Sequence, residues 1–203
     1  MSCRVTAVVL RASVEIADPL ELALAFLEAY GPDDPGGASV PEVFDERDLR
    51  RANRGGARIS AAEQAAVLAR RAQIEAALRE IPADASLAAR TVPWAPLTRL
   101  FDGFGDIRGV GFAKTTKALH GKRPALIPIL DSVVQAYLAS AEPAPDGFGE
   151  RATALVRSYK RDLDRNGAAL RDVQGALARR GYMLTEVRIL DLLIWSAATL
   201  QEP

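Results

Sequence analysis

Cysteine and histidine are almost absent from this sequence, which contains one of each, Cys3 and His120. A single cysteine cannot form an internal disulfide, and it cannot supply the four thiolates of an iron–sulfur cluster. One histidine also makes a histidine-rich metal site untenable. The sequence therefore predicts a protein without an iron–sulfur cluster, without a bound metal and without any other cofactor.

An excess of charge is also lacking, because 26 basic and 26 acidic residues cancel to a formal net charge of zero. This balance argues against a surface that coats nucleic acid non-specifically, although a locally basic cleft is still compatible with it. Long apolar runs are lacking as well, since Arg11, Ser13 and Glu15 interrupt the one near the N-terminus. We expect a cytoplasmic protein that does not contact a membrane.

Helical patterns account for most of what is present, in a chain that is 49% hydrophobic and 26% charged. The pair Asp18-Pro19 is typical of a helix start, and Gly31 is typical of a helix end. Ser60 and Glu63 form a capping box at the start of the longest predicted helix. The strand or helix state of residues 1–16 stays open. The predicted helices cover 19–30, 43–52, 61–80, 150–165, 167–180 and 185–200.

Two glycines separated by one residue, Gly109 and Gly111, lie between two apolar patterns of helical spacing and predict a tight hairpin. Glycine allows a close approach of the backbone, and the free N–H groups of a helix that begins after Gly111 can hold a phosphate oxygen. Six lysines or arginines and two aspartates lie between positions 99 and 123, so basic charge is concentrated here. The alternative is a turn that only starts a helix.

The hairpin, the helix after it and the Asp131-Ser132 pair at the start of the next helix resemble the helix-hairpin-helix superfamily of DNA glycosylases. In that superfamily the aspartate is catalytic, and the separation here, 131 − 111 = 20 residues, is the usual one. The resemblance implies an all-α, two-lobed helical bundle with the motif at 97–120. It also implies that Asp131 is catalytic and that DNA phosphate is bound by Gly109, Val110, Gly111, Lys114 and Lys117.

The chemistry that this resemblance implies is cleavage of an N-glycosidic bond in DNA. A carboxylate beside the sugar would stabilise an oxocarbenium-like state or activate a water molecule, once the damaged or modified base has left the duplex. Ala113 stands where bifunctional members carry a Schiff-base lysine, and Lys114 lies about 100° further round the helix. We therefore expect a monofunctional glycosylase without lyase activity.

Other interpretations of the same stretch stay open. Asp131 is a good N-cap, so the chain could be a catalytically silent helix-hairpin-helix module that binds DNA or another protein. An enzyme that acts on a free nucleoside or a small glycoside is a further alternative. The phrases KRPALIPILDSVV (122–134) and TEVRILDLLIW (185–195) also resemble an uncharacterised bacterial family, which implies no activity. The oligomeric state is not predicted.

The last predicted helix is apolar on nearly every side, and Asp191 lies in its middle. A buried carboxylate needs a partner, so a structural ion pair with Arg123 is predicted, with Lys122 as the other candidate and a second catalytic carboxylate as the alternative. Candidates for a base pocket are Asn53, Arg54 and Trp94. The alternative is that Asn53 and Arg54 only form a loop and that Trp94 is a core residue.

We expect one unit, 1–203, comprising an N-terminal helical segment (1–56), a helical core (57–140) and C-terminal helices (141–203).

Overall fold

The computed structural model describes residues 6–31, 40–140 and 144–199. Within these ranges the chain forms ten α-helices and one two-stranded antiparallel sheet, which confirms the prediction of an all-α protein. The elements are β1 (Val8–Val9), β2 (Glu15–Ile16), α1 (Pro19–Tyr30), α2 (Glu46–Arg54), α3 (Ala61–Ala69), α4 (Arg71–Arg79), α5 (Trp94–Asp102), α6 (Phe112–His120), α7 (Ser132–Leu138), α8 (Phe148–Arg165), α9 (Gly167–Ala178) and α10 (Glu186–Thr199).

The small sheet depends on the helices for its stability, because strands of two residues do not persist alone. Asn166, between α8 and α9, accepts a hydrogen bond from the Val9 N–H at 2.8 Å and donates one to the Val9 carbonyl at 3.0 Å. Arg11, in the turn between the strands, donates to the buried carboxylate of Asp162 at 2.7 Å. These side-chain contacts fix the start of the described chain against α8.

Helix α1 has the bounds that the sequence predicts. The Asp18 side chain accepts a hydrogen bond from the Glu21 N–H at 3.1 Å, and Pro19 occupies the first turn. Gly31 ends the helix with a φ of 75°, in the region that glycine adopts most readily. Both ends are therefore set by local contacts between residues close in sequence.

The predicted continuous helix over 61–80 is wrong, because the chain forms α3 and α4 with a break at Arg70. There φ is −98° and ψ is 9°, and the guanidinium group donates a hydrogen bond to the carbonyl of Gly105 in the hairpin region. The apolar spacing continues across the break, so the sequence pattern does not reveal it. The longest described helix is α8, with 18 residues.

The buried apolar residues form one connected cluster, and α10 lies at its centre. Helix α10 packs against α1, α7, α8 and α9, which explains why it is apolar nearly all round. The division into segments 1–56, 57–140 and 141–203 stays a prediction. No helix in the described ranges is long and apolar enough to cross a membrane.

Candidate functional site

The glycine turn lies between α5 and α6 and has one buried and two exposed residues. Val110 is 6% exposed, and its N–H donates to the Ile107 carbonyl at 3.0 Å, so it anchors the turn. Gly109 has a φ of 84°, a conformation that favours glycine. Gly111 is extended and precedes α6, and as a glycine it has no side chain to cap this helix start. The predicted hairpin therefore has an open helix N-terminus at its end.

A carboxylate from α3, that of Glu63, already lies against this turn. A Cβ atom at position 109 would overlap Glu63 Oε1, so the close approach at Gly109 is made to an acidic side chain. Lys114 Nζ donates to Glu63 Oε1 at 2.7 Å and to Oε2 at 2.8 Å. The Ser60 N–H donates to Glu63 Oε2 at 2.8 Å. The Lys114 and Ser60 hydrogen bonds hold the pKa of Glu63 below its ordinary value.

Lys117, the second lysine predicted to bind phosphate, also has an intramolecular partner. Its Nζ donates at 2.9 Å to the carbonyl of Gly55, which is the C-cap residue of α2. A cation at this position satisfies a carbonyl at the negative end of a helix dipole. Lys114 and Lys117 therefore connect α6 to α3 and to the end of α2.

Asp131 is the N-cap residue of α7 and is half-buried. Its Oδ1 accepts a hydrogen bond from the Val134 N–H at 3.0 Å. The preceding residue is fixed from α6, because the Leu130 N–H donates to Thr116 Oγ1 at 2.9 Å. One hydrogen bond thus connects the helix that follows the glycine turn to the segment that carries Asp131.

Asp191 is buried in α10, as predicted, and is 3% exposed. Its Oδ2 accepts a hydrogen bond from the Ile129 N–H at 3.2 Å, and its Oδ1 has no hydrogen-bond partner in the ranges that the structure describes. The nearby Tyr159 hydroxyl donates a hydrogen bond to the Val187 carbonyl at 2.7 Å. Burial raises the pKa of Asp191 to about 7, against the attraction of the Arg188 charge.

The predicted ion pair between Asp191 and Arg123 is wrong. The Arg123 side chain is fully buried, and its three nitrogens donate to main-chain carbonyls at the end of α4 and in the neighbouring loops. Lys122, the other candidate, pairs with Asp48 at 2.7 Å. Arginine suits such a site because its planar group presents five N–H donors to several acceptors at once. The carbonyls belong to Pro41, Leu78, Ile81 and Lys122.

Asn53 and Trp94, two of the three residues predicted for a base pocket, have structural contacts. Asn53 accepts from the Ile59 N–H at 2.6 Å and donates to the Ile59 carbonyl at 2.9 Å, which closes the loop after α2. Arg54 is exposed at the end of α2. Trp94 is half-buried, and the Arg157 guanidinium lies 4.1 Å from the centre of its ring. Asn53, Arg54 and Trp94 are not among the described residues that line the cavity beside α7 and α10.

A cavity of about 500 Å³ lies between the N-terminal turn, α7 and the end of α10. Ser132, the residue after Asp131, lines it together with Tyr137, Arg11 and Ala197. Burial raises the pKa of Tyr137 to about 12, so its hydroxyl stays neutral. The sequence did not predict this cavity, because its walls come from residues that lie far apart in the chain and are mostly aliphatic.

The described residues form a mostly helical protein with a glycine turn before α6, an aspartate that caps α7 and a buried carboxylic acid in α10. Residues 22–198 match the model of DUF6308, a family of unknown function, and the chain belongs to that family. This agrees with the resemblance to an uncharacterised family. No curated protein and no solved structure matches the chain. Among residues 6–31, 40–140 and 144–199, no group of three or more acidic, histidine or cysteine residues could hold a metal ion.

Proposed function

We propose that this protein is a two-lobed, helix-hairpin-helix DNA glycosylase that releases a damaged or modified base without cutting the strand. The observation that carries the proposal is the hydrogen bond from the Leu130 N–H to Thr116 Oγ1. It couples the helix that begins at the glycine turn to the residue that precedes Asp131. A phosphate at the turn and a sugar at Asp131 would therefore be held by one connected unit.

Asp131 supplies the chemistry in this proposal. One carboxylate oxygen caps α7 through the Val134 N–H, which fixes the orientation of the group. The other oxygen would stabilise positive charge on the sugar ring or accept a proton from the attacking water. A cavity of about 500 Å³, within the range of small-molecule sites, is lined by Ser132, the residue after Asp131, and would receive the extruded base.

The absence of lyase chemistry follows from α6. Ala113 occupies the position that the resemblance assigns to a Schiff-base lysine, and Lys114 is hydrogen-bonded to both oxygens of Glu63. Position 113 therefore offers no amine for a Schiff base, and Lys114 lies about 100° further round the helix. The expected product is therefore an intact strand with an abasic site.

A second candidate function is a catalytically silent module that binds DNA or another protein. The contacts of Lys114 with Glu63 and of Lys117 with Gly55 favour it, because both lysines have a structural role without any ligand. The capping contact of Asp131 is also sufficient to explain that residue. In this case the scaffold and the turn are retained, and no base is released.

Base release from a panel of duplexes with damaged or modified bases tests the choice between these functions. We expect release of at least one base, strand breakage only after treatment with hot alkali, and no covalent adduct after borohydride reduction. Direct strand cleavage with a trapped adduct would contradict the monofunctional mechanism. Failure to release any base from the panel would leave the silent module as the better account.

A further inference from the structure

A carboxylate from α3 lies against the glycine turn of this protein. The Glu63 carboxylate lies against Gly109 and accepts two hydrogen bonds from Lys114, at 2.7 and 2.8 Å. Both side chains are mostly shielded, with exposed fractions of 23% for Lys114 and 15% for Glu63. A charge-assisted pair with this shielding is stronger than an exposed one.

Glu63 is fixed in this place by its position in the capping box of α3. Ser60 Oγ accepts from the Glu63 N–H at 3.3 Å, and Glu63 Oε2 accepts from the Ser60 N–H at 2.8 Å. One carboxylate therefore completes the start of α3 and neutralises the cation in the first turn of α6. Lys114, the lysine that would bind a phosphate, is therefore already paired with the Glu63 carboxylate, which is negatively charged like the phosphate.

We propose that Glu63 competes with DNA phosphate for the turn and for Lys114, so that the free protein is autoinhibited. The inference rests on the proposed function, since it concerns the regulation of the same DNA-binding turn. A phosphate beside Gly109 would meet a carboxylate at close range, and the repulsion between them costs binding free energy. DNA binding therefore requires Glu63 to leave the turn and Lys114 to exchange its carboxylate partner for a phosphate.

A purely structural role for the ion pair makes a different prediction. If Glu63 and Lys114 only join α3 to α6, removing the negative charge lowers stability and leaves DNA affinity unchanged or weaker. If Glu63 competes with phosphate, the same change strengthens DNA binding. Affinity and its salt dependence, measured together with thermal stability, therefore distinguish the two roles.

The test uses the full chain with Glu63→Gln, which removes the charge and keeps a side chain that can complete the capping box. Glu21→Gln is the matched control, because Glu21 is an exposed residue of the first turn of α1 and the change in net charge is the same. Binding of a short undamaged duplex is measured from low to physiological salt. We expect Glu63→Gln to bind on the order of tenfold more tightly at low salt. The slope of log K against log salt concentration should steepen by about one phosphate contact.

The outcomes separate the inference from the function on which it rests. Wild-type binding that Glu63→Gln does not strengthen, or that Glu21→Gln strengthens equally, overturns the autoinhibition and leaves DNA binding intact. No binding by either protein overturns both. If Glu63→Gln is unstable by thermal melting, Glu63→Met, which is uncharged and suited to a helix, replaces it under the same expectations.

Discussion

At the scale of single residues, Asp191 determines how stability should depend on pH. Its pKa is raised from 3.8 to about 7 by burial, so the folded protein retains a proton that the unfolded chain has lost between these values. Stability from this group is therefore highest below pH 4 and decreases as the pH rises through this window. Above about pH 7 the carboxylate is ionised inside the core, and the free energy of unfolding is lowered by the full cost of burying this charge.

We predict that Asp191→Asn removes this pH dependence and makes the protein more stable than the wild type at pH 8, by up to about 4 kcal/mol. The asparagine is neutral at every pH, and its carbonyl oxygen can still accept the hydrogen bond of the Ile129 N–H. Chemical unfolding of both proteins between pH 4 and pH 8 measures the effect.

The matched control is Asp162→Asn, because Asp162 is also buried but pairs with Arg11 at 2.7 Å. It should lower stability by about 3 kcal/mol, since Arg11 loses its charged partner. Destabilisation of Asp191→Asn at pH 8 to the same extent would mean that Asp191 is charged and paired in the folded protein.

The sequence predicts the burial of Asp191 but not its surroundings. Burial follows from the apolar residues on all sides of α10, a pattern within one helix. The partners of Asp191 cannot be predicted from this pattern. Arg123 donates its hydrogen bonds to carbonyls at the end of α4, and Lys122 forms an ion pair with Asp48. Charge complementarity alone cannot choose between a carboxylate and a set of carbonyl oxygens that the fold brings together.

At the level of helices and turns, the sequence predicts helix ends that depend on residues close in sequence, such as those of α1. It does not predict the break between α3 and α4, which involves a contact between residues far apart in the chain. Asp18 and Gly31 set the ends of α1 through contacts within four residues. The break between α3 and α4 involves the contact of Arg70 with Gly105, which is 35 residues away. The glycine turn combines both features. Its conformation depends on residues close in sequence, whereas its contact with Glu63 is a tertiary contact.

The two glycines of the turn should therefore respond differently to the same substitution. Gly109→Ala should lower stability by about 1–3 kcal/mol, because φ is 84° and a residue with a Cβ is strained in this conformation. Gly111→Ala is the matched control and should change stability by less than about 1 kcal/mol, because its backbone is extended and its Cβ would point into open space. Thermal or chemical unfolding measures both, and equal losses would contradict the geometry of the turn.

At the scale of the whole molecule, the local excess of basic residues is compensated by contacts across the fold. Glu63 and Asp48 neutralise Lys114 and Lys122, and the carbonyl of Gly55 accepts from Lys117. A count of charges along the sequence therefore overstates the positive charge at the turn. Duplex DNA should therefore bind weakly to the wild type, with a salt dependence that is shallower than that of Glu63→Gln.

The parts of the candidate site that the sequence predicts lie in one continuous stretch. Gly109, Gly111 and Asp131 belong to two neighbouring helix starts, whose signals are local. The cavity lined by Ser132 does not have this property, because it combines the N-terminal turn, α7 and the end of α10. Its residues are ordinary core types in the sequence, and only packing brings them together.

The rate of base release by Asp131→Asn tests whether Asp131 is catalytic, with Asp18→Asn as the matched control at another helix N-cap. Asparagine keeps the cap of α7, so folding and DNA affinity should stay near the wild type. We predict that base release from the best substrate of the panel falls by at least about a hundredfold in Asp131→Asn, because the charge that stabilises the sugar cation is lost. Asp18→Asn should release base at the wild-type rate. Base release by Asp131→Asn at the wild-type rate would contradict the account.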